Sequence, residues 1–323
     1  MVTSPWNRRQ EEEALSRSGF PSALSVSPDA ITQFEPGRPL DLALTLAPIG
    51  EGRSLRLSPG EAWRATLTPD GPATVHLIQS EGGVDVEAWG PGASWAAGHA
   101  GALCGQDDDD AGFVPRHPFL AQVHKRNPGV RIPRTSAVFE ALVPAVLGQK
   151  VTGVESRRSY ERLVDALGEP APGPVRLTVP PSARVLARTP YWTFHRYGIE
   201  RRRAEVIIGA ARSATRLEET VSMEMAAAYQ RLQAFPGIGP WTAALVASAA
   251  LGDPDAVPVG DYNLPHSVGY ALEGTPRSTD ERMLELLEPY RGHRARVIRL
   301  IALAGIGAPR FGPRLPIRDF VTS

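Results

Sequence analysis

The fold is decided by the stretch Leu232-Gln233-Ala234-Phe235-Pro236-Gly237-Ile238-Gly239-Pro240-Trp241-Thr242-Ala243. A helical pattern ends at Phe235, Gly237 and Gly239 permit a tight turn, and Pro240 suits the first turn of a new helix. The stretch therefore predicts a helix, a hairpin and a second helix, whose first backbone amides face outward and favour a phosphate oxygen. For Gly-Ile-Gly taken alone, an ordinary turn between two core helices is the simpler interpretation.

The chain around the hairpin has a helical period from about Ser136 onward. An amphipathic stripe of Val138, Phe139, Leu142, Val143 and Val146 runs on through Leu147. Further helices are predicted at Ser156–Leu167, Glu200–Ala214, Met223–Ala234, Trp241–Ala250, Asp280–Leu287 and Ala295–Ala304. Strand signals are nearly absent from this part of the chain.

The preceding part of the chain has a strand period instead. Apolar and polar residues alternate in Leu40–Leu46, Ala62–Leu67, Ala73–Ile78 and Val84–Trp89, with Gly, Pro and Asp between them. These segments predict an antiparallel sheet covered on one face by a helix around Ala93–Leu103. We interpret the run Asp107-Asp108-Asp109-Asp110 as a solvated connector.

The two patterns predict an α+β protein with four parts. Residues 1–29 form an N-terminal extension and residues 30–112 a small antiparallel α/β domain. Residues 113–305 form a mainly helical region, and residues 306–323 form an Arg- and Pro-rich tail.

Composition limits the class of protein. Hydrophobic residues make up 42% of the 323 residues and charged residues 22%, so the chain can bury cores. The single cysteine, Cys104, excludes a disulfide framework and a four-cysteine zinc site. No apolar run is long enough for a membrane helix, so we expect a soluble, cytoplasmic, nucleoid-associated protein without a membrane partner. The histidines have no metal-site spacing, and no tightly bound cofactor is implied.

The charge is unevenly distributed along the chain. The formal net charge is zero, yet residues 1–112 hold 7 basic and 16 acidic side chains, leaving 28 basic and 19 acidic in residues 113–323. A cationic C-terminal part is a weak indication of a nucleic-acid partner.

Three more segments, taken with the hairpin, carry a resemblance to a known family. Val257-Pro258-Val259-Gly260-Asp261-Tyr262 follows, with Asp261 22 residues after Gly239. Val146-Leu147-Gly148-Gln149-Lys150-Val151-Thr152 precedes the hairpin, and Pro289-Tyr290-Arg291-Gly292-His293-Arg294-Ala295 lies near the end. Over about residues 30–305 the chain resembles the helix-hairpin-helix DNA glycosylases, in the branch of the bacterial 3-methyladenine DNA glycosylase II.

The resemblance implies the roles of individual residues. Asp261 corresponds to the catalytic aspartate of the superfamily. The DNA-binding hairpin would consist of Phe235, Pro236, Gly237, Ile238, Gly239 and Thr242, the base pocket and wedge of Gln149, Lys150, Trp241 and Tyr262, and the phosphate contacts of Arg291, His293 and Arg294. It also allows a monovalent cation on the carbonyls of residues 235–239, with no other metal.

Asp261 has two interpretations. An aspartate that follows Gly at the head of a helix is a favoured N-cap. In a glycosylase, a fixed carboxylate stabilises the positive charge that develops on the sugar as the N-glycosidic bond breaks. Both roles can hold at once, and Asp261 can also orient or deprotonate the attacking water.

Trp241 predicts the subclass of reaction. Superfamily members that also cut the strand hold a lysine two residues after the second hairpin glycine, and its amine attacks the sugar. Trp241 in this place predicts a monofunctional enzyme that leaves an abasic site. A packed core tryptophan is the alternative to a tryptophan that lines the base cleft.

Two basic features remain open. The wedge that holds the duplex open after base flipping follows the Leu-Gly-Gln helix in the family, which indicates Gln149 or Lys150; Lys150 is otherwise a phosphate contact or an ordinary exposed lysine. The cluster Tyr191–Tyr197, followed by Arg201-Arg202-Arg203, either stacks on bases and neutralises phosphates or anchors a helix to the core.

The sequence therefore predicts a monomeric base-excision repair enzyme that hydrolyses the glycosidic bond of alkylated, 3-methyladenine-like purines in damaged double-stranded DNA. Excision of oxidised or deaminated bases is the alternative among enzymes. A non-catalytic helix-hairpin-helix DNA-binding protein is the alternative from another class.

Overall fold

A computed structural model of the protein describes residues 26–50 and 52–309. Most of the predicted N-terminal extension and of the Arg- and Pro-rich tail lies outside these residues. The first part of the chain forms a five-stranded antiparallel sheet in the order β1-β5-β4-β3-β2. Its strands are β1 (Ala30–Phe34), β2 (Leu55–Ser58), β3 (Glu61–Thr68), β4 (Gly71–Ser80) and β5 (Gly83–Trp89).

Three of the four predicted strands are confirmed as β3, β4 and β5, but the prediction for Leu40–Leu46 is wrong. That segment contains helix α1 (Leu42–Leu46), which begins after an N-cap at Asp41 whose side chain accepts a hydrogen bond from the Leu44 amide at 2.8 Å. Leu42 and Leu46 are four residues apart and both fully buried against the sheet. Leu42 and Leu46 share a side in a strand and in a helix alike, because residues four apart lie on one face of both, and the cap favours the helix.

The helix predicted around Ala93–Leu103 is present as two short helices, α2 (Ala93–Gly98) and α3 (Ala100–Leu103). They cover one face of the sheet and bury Cys104, and burial raises the pKa of its thiol to about 12. The cysteine is therefore a core residue and not a reactive thiol.

The rest of the described chain is mainly helical, as the 3.6-residue period predicts. The helices are α4 (Pro118–Arg126), α5 (Val138–Leu147), α6 (Gly153–Leu167), α7 (Ala183–Arg188), α8 (Arg201–Arg212), α9 (Ala214–Glu218), α10 (Met225–Gln233), α11 (Pro240–Val246), α12 (Leu264–Glu273), α13 (Asp280–Leu287) and α14 (Arg294–Leu303). Two-residue strands β6 (Glu169–Pro170) and β7 (Thr178–Val179) pair with each other. The α+β class is confirmed, and within the described residues no helix is long and apolar enough to cross a membrane.

Helix α5 lies at the centre of the larger core. All five residues of its predicted stripe are buried, and they pack with residues of α8, α10 and α11. The first two backbone amides of α5 have no partner within the helix and bind a side chain instead. The Glu218 carboxylate accepts hydrogen bonds from the amides of Val138 and Phe139 at 2.9 and 2.8 Å. Helix α5, which ends at the Gly148 turn, is thus held at its start by Glu218 and along its length by core packing.

The interpretation of Asp107–Asp110 as a solvated connector is wrong for Asp108. Its carboxylate is 1% exposed and accepts hydrogen bonds from Arg296 at 2.5 Å, from Arg38 at 3.0 Å and from the Ile132 amide at 3.0 Å. A buried carboxylate needs such compensation. Asp108 therefore joins the sheet part of the chain to helix α14, and the predicted boundary at residue 112 stays a prediction.

Candidate active site

The predicted hairpin is present between α10 and α11. Gly237 has a left-handed backbone (φ +87°), and a Cβ at this position would overlap the side chain of Val206 on α8. Gly239 differs, because a Cβ built there meets no atom within 4 Å. Ile238 between them is buried. The hairpin is therefore anchored through Gly237 and Ile238, and it is open at Gly239.

Gln149 attaches the turn after α5 to this hairpin. Its Nε2 donates to the carbonyl oxygen of Gly237 and to Oγ1 of Thr242, both at 2.9 Å. Both hydrogens of the amide nitrogen are used within the protein, so Gln149 acts as a brace between two motifs. Lys150, the next residue, is exposed with a left-handed backbone (φ +58°) at the tip of the turn. Of the two predicted wedge residues, Lys150 is the one whose side chain makes no hydrogen bond or ion pair within residues 26–50 and 52–309.

Asp261 is held by three N–H donors. Oδ1 accepts from the backbone amides of Asn263 and Leu264 at 2.8 and 2.9 Å, while Oδ2 accepts from the indole Nε1 of Trp241 at 2.9 Å. One oxygen thus caps the start of α12, as the simpler interpretation predicts. The other oxygen is oriented by a side chain from the hairpin helix, so the geometry is compatible with both interpretations of this residue.

Trp241 is the point where the three motifs meet. A Cβ at Gly148, the end of the Leu-Gly-Gln helix, would lie 3.1 Å from Cη2 of Trp241. The indole is half-buried between this glycine and the loop that carries Asp261. Trp241 is therefore a packed tryptophan whose polar edge faces the candidate catalytic carboxylate.

The loop before Asp261 is supported from behind by a residue that sequence reasoning missed. Oδ2 of Asp280 accepts a hydrogen bond from the amide of Gly260 at 3.1 Å, where the backbone is left-handed (φ +92°). Oδ1 of Asp280 is buried and has no hydrogen-bond partner within the described residues. Only its position as the first residue of a predicted helix could have drawn attention to Asp280.

Tyr262 lies beside Asp261 on the surface. Its side chain is 79% exposed, and its ring meets that of His266 edge-on with centroids 6.3 Å apart. The ring is therefore exposed to a ligand and is not part of the core.

The three predicted phosphate contacts lie in different environments. Arg294 forms a double hydrogen bond with Asp255, at 2.8 and 2.5 Å, and Asp255 also accepts from the amide of Gly292 at 2.7 Å. Burial acts to raise the pKa of Asp255, but the hydrogen bonds from Arg294 outweigh it and lower that pKa. Arg294 thus orders the start of α14 and is already paired, which argues against its use as a phosphate contact.

Arg291 forms an exposed ion pair with Glu288 at 2.8 Å, and such surface pairs are weak and exchange readily. His293 is half-buried, and its Nδ1 has no hydrogen-bond partner in the described part of the chain. The phosphate role of Arg291 and His293 stays a prediction.

The hairpin carbonyls predicted for a monovalent cation accept hydrogen bonds within the protein. The oxygen of Phe235 accepts from the Ile238 amide at 3.1 Å, and that of Gly237 accepts from Gln149. Across residues 26–50 and 52–309, no group of three or more His, Cys, Asp or Glu side chains is arranged to hold a metal ion. The cation stays a prediction.

No protein-family profile matches the chain. In sequence it is similar to the probable bifunctional transcriptional activator/DNA repair enzyme AlkA of Mycobacterium tuberculosis, with 34% identity over 154 residues, which are 46% of this chain and 30% of that protein. It is also similar to the DNA-3-methyladenine glycosylase of Bacillus subtilis, with 28% identity over 180 residues, which are 54% of this chain and 59% of that protein. The matched regions thus span less than two thirds of each relative.

The fold is that of solved glycosylases. The 3-methyladenine DNA-glycosylase of Archaeoglobus fulgidus superimposes with a TM-score of 0.69 at 20% identity, over 84% of this chain and 97% of that one. The 8-oxoguanine glycosylase/lyase of Clostridium acetobutylicum, solved with double-stranded DNA, gives 0.65 at 14% identity over 85% and 97%. These likenesses extend across the sheet and the helical region alike.

Proposed function

We propose that this chain, which by sequence similarity and fold belongs to the helix-hairpin-helix DNA glycosylase superfamily in the 3-methyladenine DNA glycosylase II branch, removes alkylated purines from duplex DNA. The single observation that carries the proposal is the three-donor arrangement of Asp261 beside the open hairpin. The names of its sequence relatives indicate the same class of activity.

The chemistry follows from the fixed carboxylate. Breaking the bond between base and sugar builds positive charge on the sugar, and an anion held in place beforehand stabilises that charge without reorganising. The bonding electrons leave with the base, and a water molecule adds to the sugar and loses a proton. A cationic alkylated base is a good leaving group and needs little acid assistance, so the proposed reaction requires no second acid beside Asp261.

The substrate has to leave the base stack before it reaches Asp261. Flipping costs a few kcal/mol, and the enzyme recovers part of that cost by filling the gap. Lys150 stands at the tip of the turn that Gln149 braces against the hairpin, so we assign the wedge to Lys150. The exposed ring of Tyr262 is available to stack on the flipped base.

We further propose that the enzyme is monofunctional. Trp241 occupies the place that a lysine holds in strand-cleaving members, and its N–H donates to Asp261 and supplies no nucleophile. Lysine amines form the covalent intermediate in lyases. The likeness in fold to a glycosylase/lyase does not bear on this point, because it concerns the backbone alone.

The test is an excision assay on duplexes that each carry one lesion. The panel includes 3-methyladenine, 7-methylguanine, 8-oxoguanine, hypoxanthine and uracil, and abasic product is measured after alkali. We expect release of the methylated purines by the wild-type protein and none by Asp261→Asn. Release of oxidised or deaminated bases alone would contradict the proposed substrate and support the alternative substrate class. Tight binding without any product would establish the non-catalytic alternative.

A further inference from the structure

One exposed surface beside the candidate site combines aromatic rings with guanidinium groups. It is formed by Tyr191, Trp192, Arg196, Arg201 and Arg202, and we call it the aromatic–arginine surface. Trp192 is 62% exposed, and the guanidinium of Arg201 lies 4.7 Å from the ring centre of Tyr191. The rings of Tyr191 and Trp192 meet edge-on with centroids 5.3 Å apart. The surface is therefore an ordered group and not a set of isolated side chains.

Anchoring to the core accounts in part for Tyr191, which packs against it, but not for Trp192. The segment between α7 and α8 is a 3-10 helix (Tyr191–Tyr197) held by Phe194 and Ile199, which are fully buried. The third arginine of the run, Arg203, is also buried, so it too belongs to the interior. Trp192 leaves most of its apolar area in water, and large exposed aromatic residues of this kind often mark an interaction site.

The surface adjoins the hairpin and the Lys150 turn through helix α8. Nη1 of Arg203 donates to the carbonyl oxygen of Leu147 at 2.8 Å, just before that turn. Val206, one turn later, is the residue that a Cβ at Gly237 would overlap. Arg202 is four residues before Val206 and so lies on the same face of the helix, one turn toward its start. The first turn of α8 therefore lies next to the part of this helix that contacts the hairpin and the turn before Lys150.

The charges on this surface favour an anionic partner. Arg196 and Arg202 are exposed and have no acidic partner in the described chain, whereas Arg201 pairs with Glu205 at 2.7 Å. Arg196 follows Trp192 by four residues, and Arg202 follows Arg201, whose guanidinium lies over Tyr191. Exposed guanidiniums in a segment with these rings match a phosphate backbone with its sugars, because guanidinium groups bind phosphate in a planar double contact. Continuity with the hairpin indicates that this backbone belongs to the same DNA.

From these contacts we infer that the aromatic–arginine surface is a second part of the DNA interface, which holds the duplex beside the lesion while Lys150 enters the stack. The inference rests on the proposed function. Arg196 and Arg202 contact phosphates, and Trp192 packs on the adjoining sugars. The contacts are sequence-independent, since phosphates carry no base information.

The test compares two double variants of equal charge. Arg196→Ala/Arg202→Ala removes the inferred contacts, and Arg56→Ala/Arg126→Ala removes two exposed arginines from β2 and the end of α4. Affinity for an undamaged duplex is measured over a range of salt concentrations. Each lost phosphate contact lowers the log–log slope by about 0.9. We expect a slope about two units smaller for the first variant, an affinity at least about tenfold weaker in 0.1 M salt, and values within about twofold of wild type for the control.

Trp192→Ala supplies an independent measurement. Because the side chain is mostly exposed, we expect an unchanged melting temperature and an affinity several-fold weaker. The single-turnover excision rate at saturating enzyme should stay at the wild-type value for the control double variant, since neither Arg56 nor Arg126 belongs to the inferred interface. If the first double variant and Trp192→Ala bind DNA as the control does, while wild type excises normally, the inference is wrong and the proposed function stands. If wild type itself neither binds with salt dependence nor excises, the proposed function has failed.

Discussion

Nε1 of Trp241 donates a 2.9 Å hydrogen bond to Oδ2 of Asp261, and this bond joins the hairpin helix to the loop twenty residues later. The aspartate is thus oriented by two different parts of the chain, its own helix start and the indole. A carboxylate with three N–H donors has little freedom to rotate. Its direction is set before any substrate arrives, as electrostatic stabilisation of a developing charge requires.

Asp261→Asn should remove excision. Loss of one preorganised charge costs about 3–4 kcal/mol, or about a hundredfold or more in single-turnover rate. An asparagine must also turn its NH2 group toward either the indole N–H or the two backbone amides, so one or two hydrogen bonds are lost as well. Duplex affinity should be nearly unchanged. More than about a tenth of the wild-type rate in the variant would mean that Asp261 is a cap alone.

The control for this variant is Asp41→Asn, which alters a similar helix cap at α1, away from the site. It should lower the melting temperature by a similar amount and leave the excision rate unchanged.

Trp241→Phe should lower the excision rate while keeping the ring against Gly148. A hydrogen bond to a charged group contributes about 1.5–3 kcal/mol, so we expect a loss of about tenfold to a hundredfold in single-turnover rate. The matched control is Trp63→Phe, which deletes the same kind of bond, from the Trp63 indole to Glu61 at 2.9 Å, on the sheet. A Trp241→Phe enzyme as fast as this control would show that the indole does not orient Asp261.

The two hairpin glycines should respond in opposite ways. Gly239→Val places its side chain in open space, so stability should hold while affinity falls equally for every duplex sequence, because the side chain blocks the approach of a phosphate. Gly237→Ala forces a left-handed conformation and an overlap with Val206, so its melting temperature should fall. Thermal melts and binding titrations measure both effects. Unchanged DNA affinity in Gly239→Val would exclude the hairpin from the interface.

Borohydride should trap no covalent complex between the wild-type protein and a damaged duplex, and strand breaks should appear only after alkali. Lys150→Ala should impair base flipping, which 2-aminopurine fluorescence reports next to the lesion, while Lys125→Ala serves as a control on an exposed lysine of α4. A wild-type adduct that disappears in Lys150→Ala would make Lys150 an amine nucleophile and overturn the monofunctional assignment.

Asp108→Asn should destabilise the fold strongly. The change leaves Arg296 and Arg38 without their shared anion in a buried place, and breaking a buried pair costs about 3–5 kcal/mol in the free energy of unfolding. Asp107→Asn is the matched control, because its carboxylate is exposed and lies 3.8 Å from Arg134, a distance at which an ion pair contributes about 1 kcal/mol or less. Denaturant titrations of both variants measure the difference. Equal stability of the two would contradict the role assigned to Asp108.

The sequence predicts much of this fold, because a hydrophobic pattern that repeats over many residues fits only one kind of secondary structure. The stripe from Val138 to Val146 spans nearly three helical turns and is buried as expected. The alternation in Leu40–Leu46 spans too few residues to distinguish a strand from a helix. The capping hydrogen bond at Asp41 favours the helix that the structure shows. Local pattern also missed α12, where Pro265 at the second residue resembles a break in the chain although it suits a first turn.

Prediction of the candidate site was limited by partners that lie far apart in the chain. The hairpin, Trp241 and Asp261 were each identified from their own segments. Nothing local indicates that Gln149 reaches Gly237 or that Asp280 supports Gly260, because these bonds span 88 and 20 residues. Arg294 was predicted as a phosphate contact from its motif. Its partner Asp255 lies in a loop 39 residues earlier, and no local pattern indicates this pairing.

The bond between Asp108 and Arg296 spans 188 residues, and this distance has a consequence for the order of folding. All five strands of the sheet have been synthesised by Trp89. The contact between Asp108 and Arg296 cannot form until α14 has left the ribosome. During synthesis Asp108 therefore has Arg38 as a partner but lacks Arg296 while nearly two hundred residues are added. Late, long-range closure of this kind slows folding and leaves apolar surface open in the meantime. A chain that stops before α14 would keep the pair between Asp108 and Arg38 but lack Arg296 and the apolar surface of α14, and we expect such a fragment to be bound by chaperones and cut by proteases.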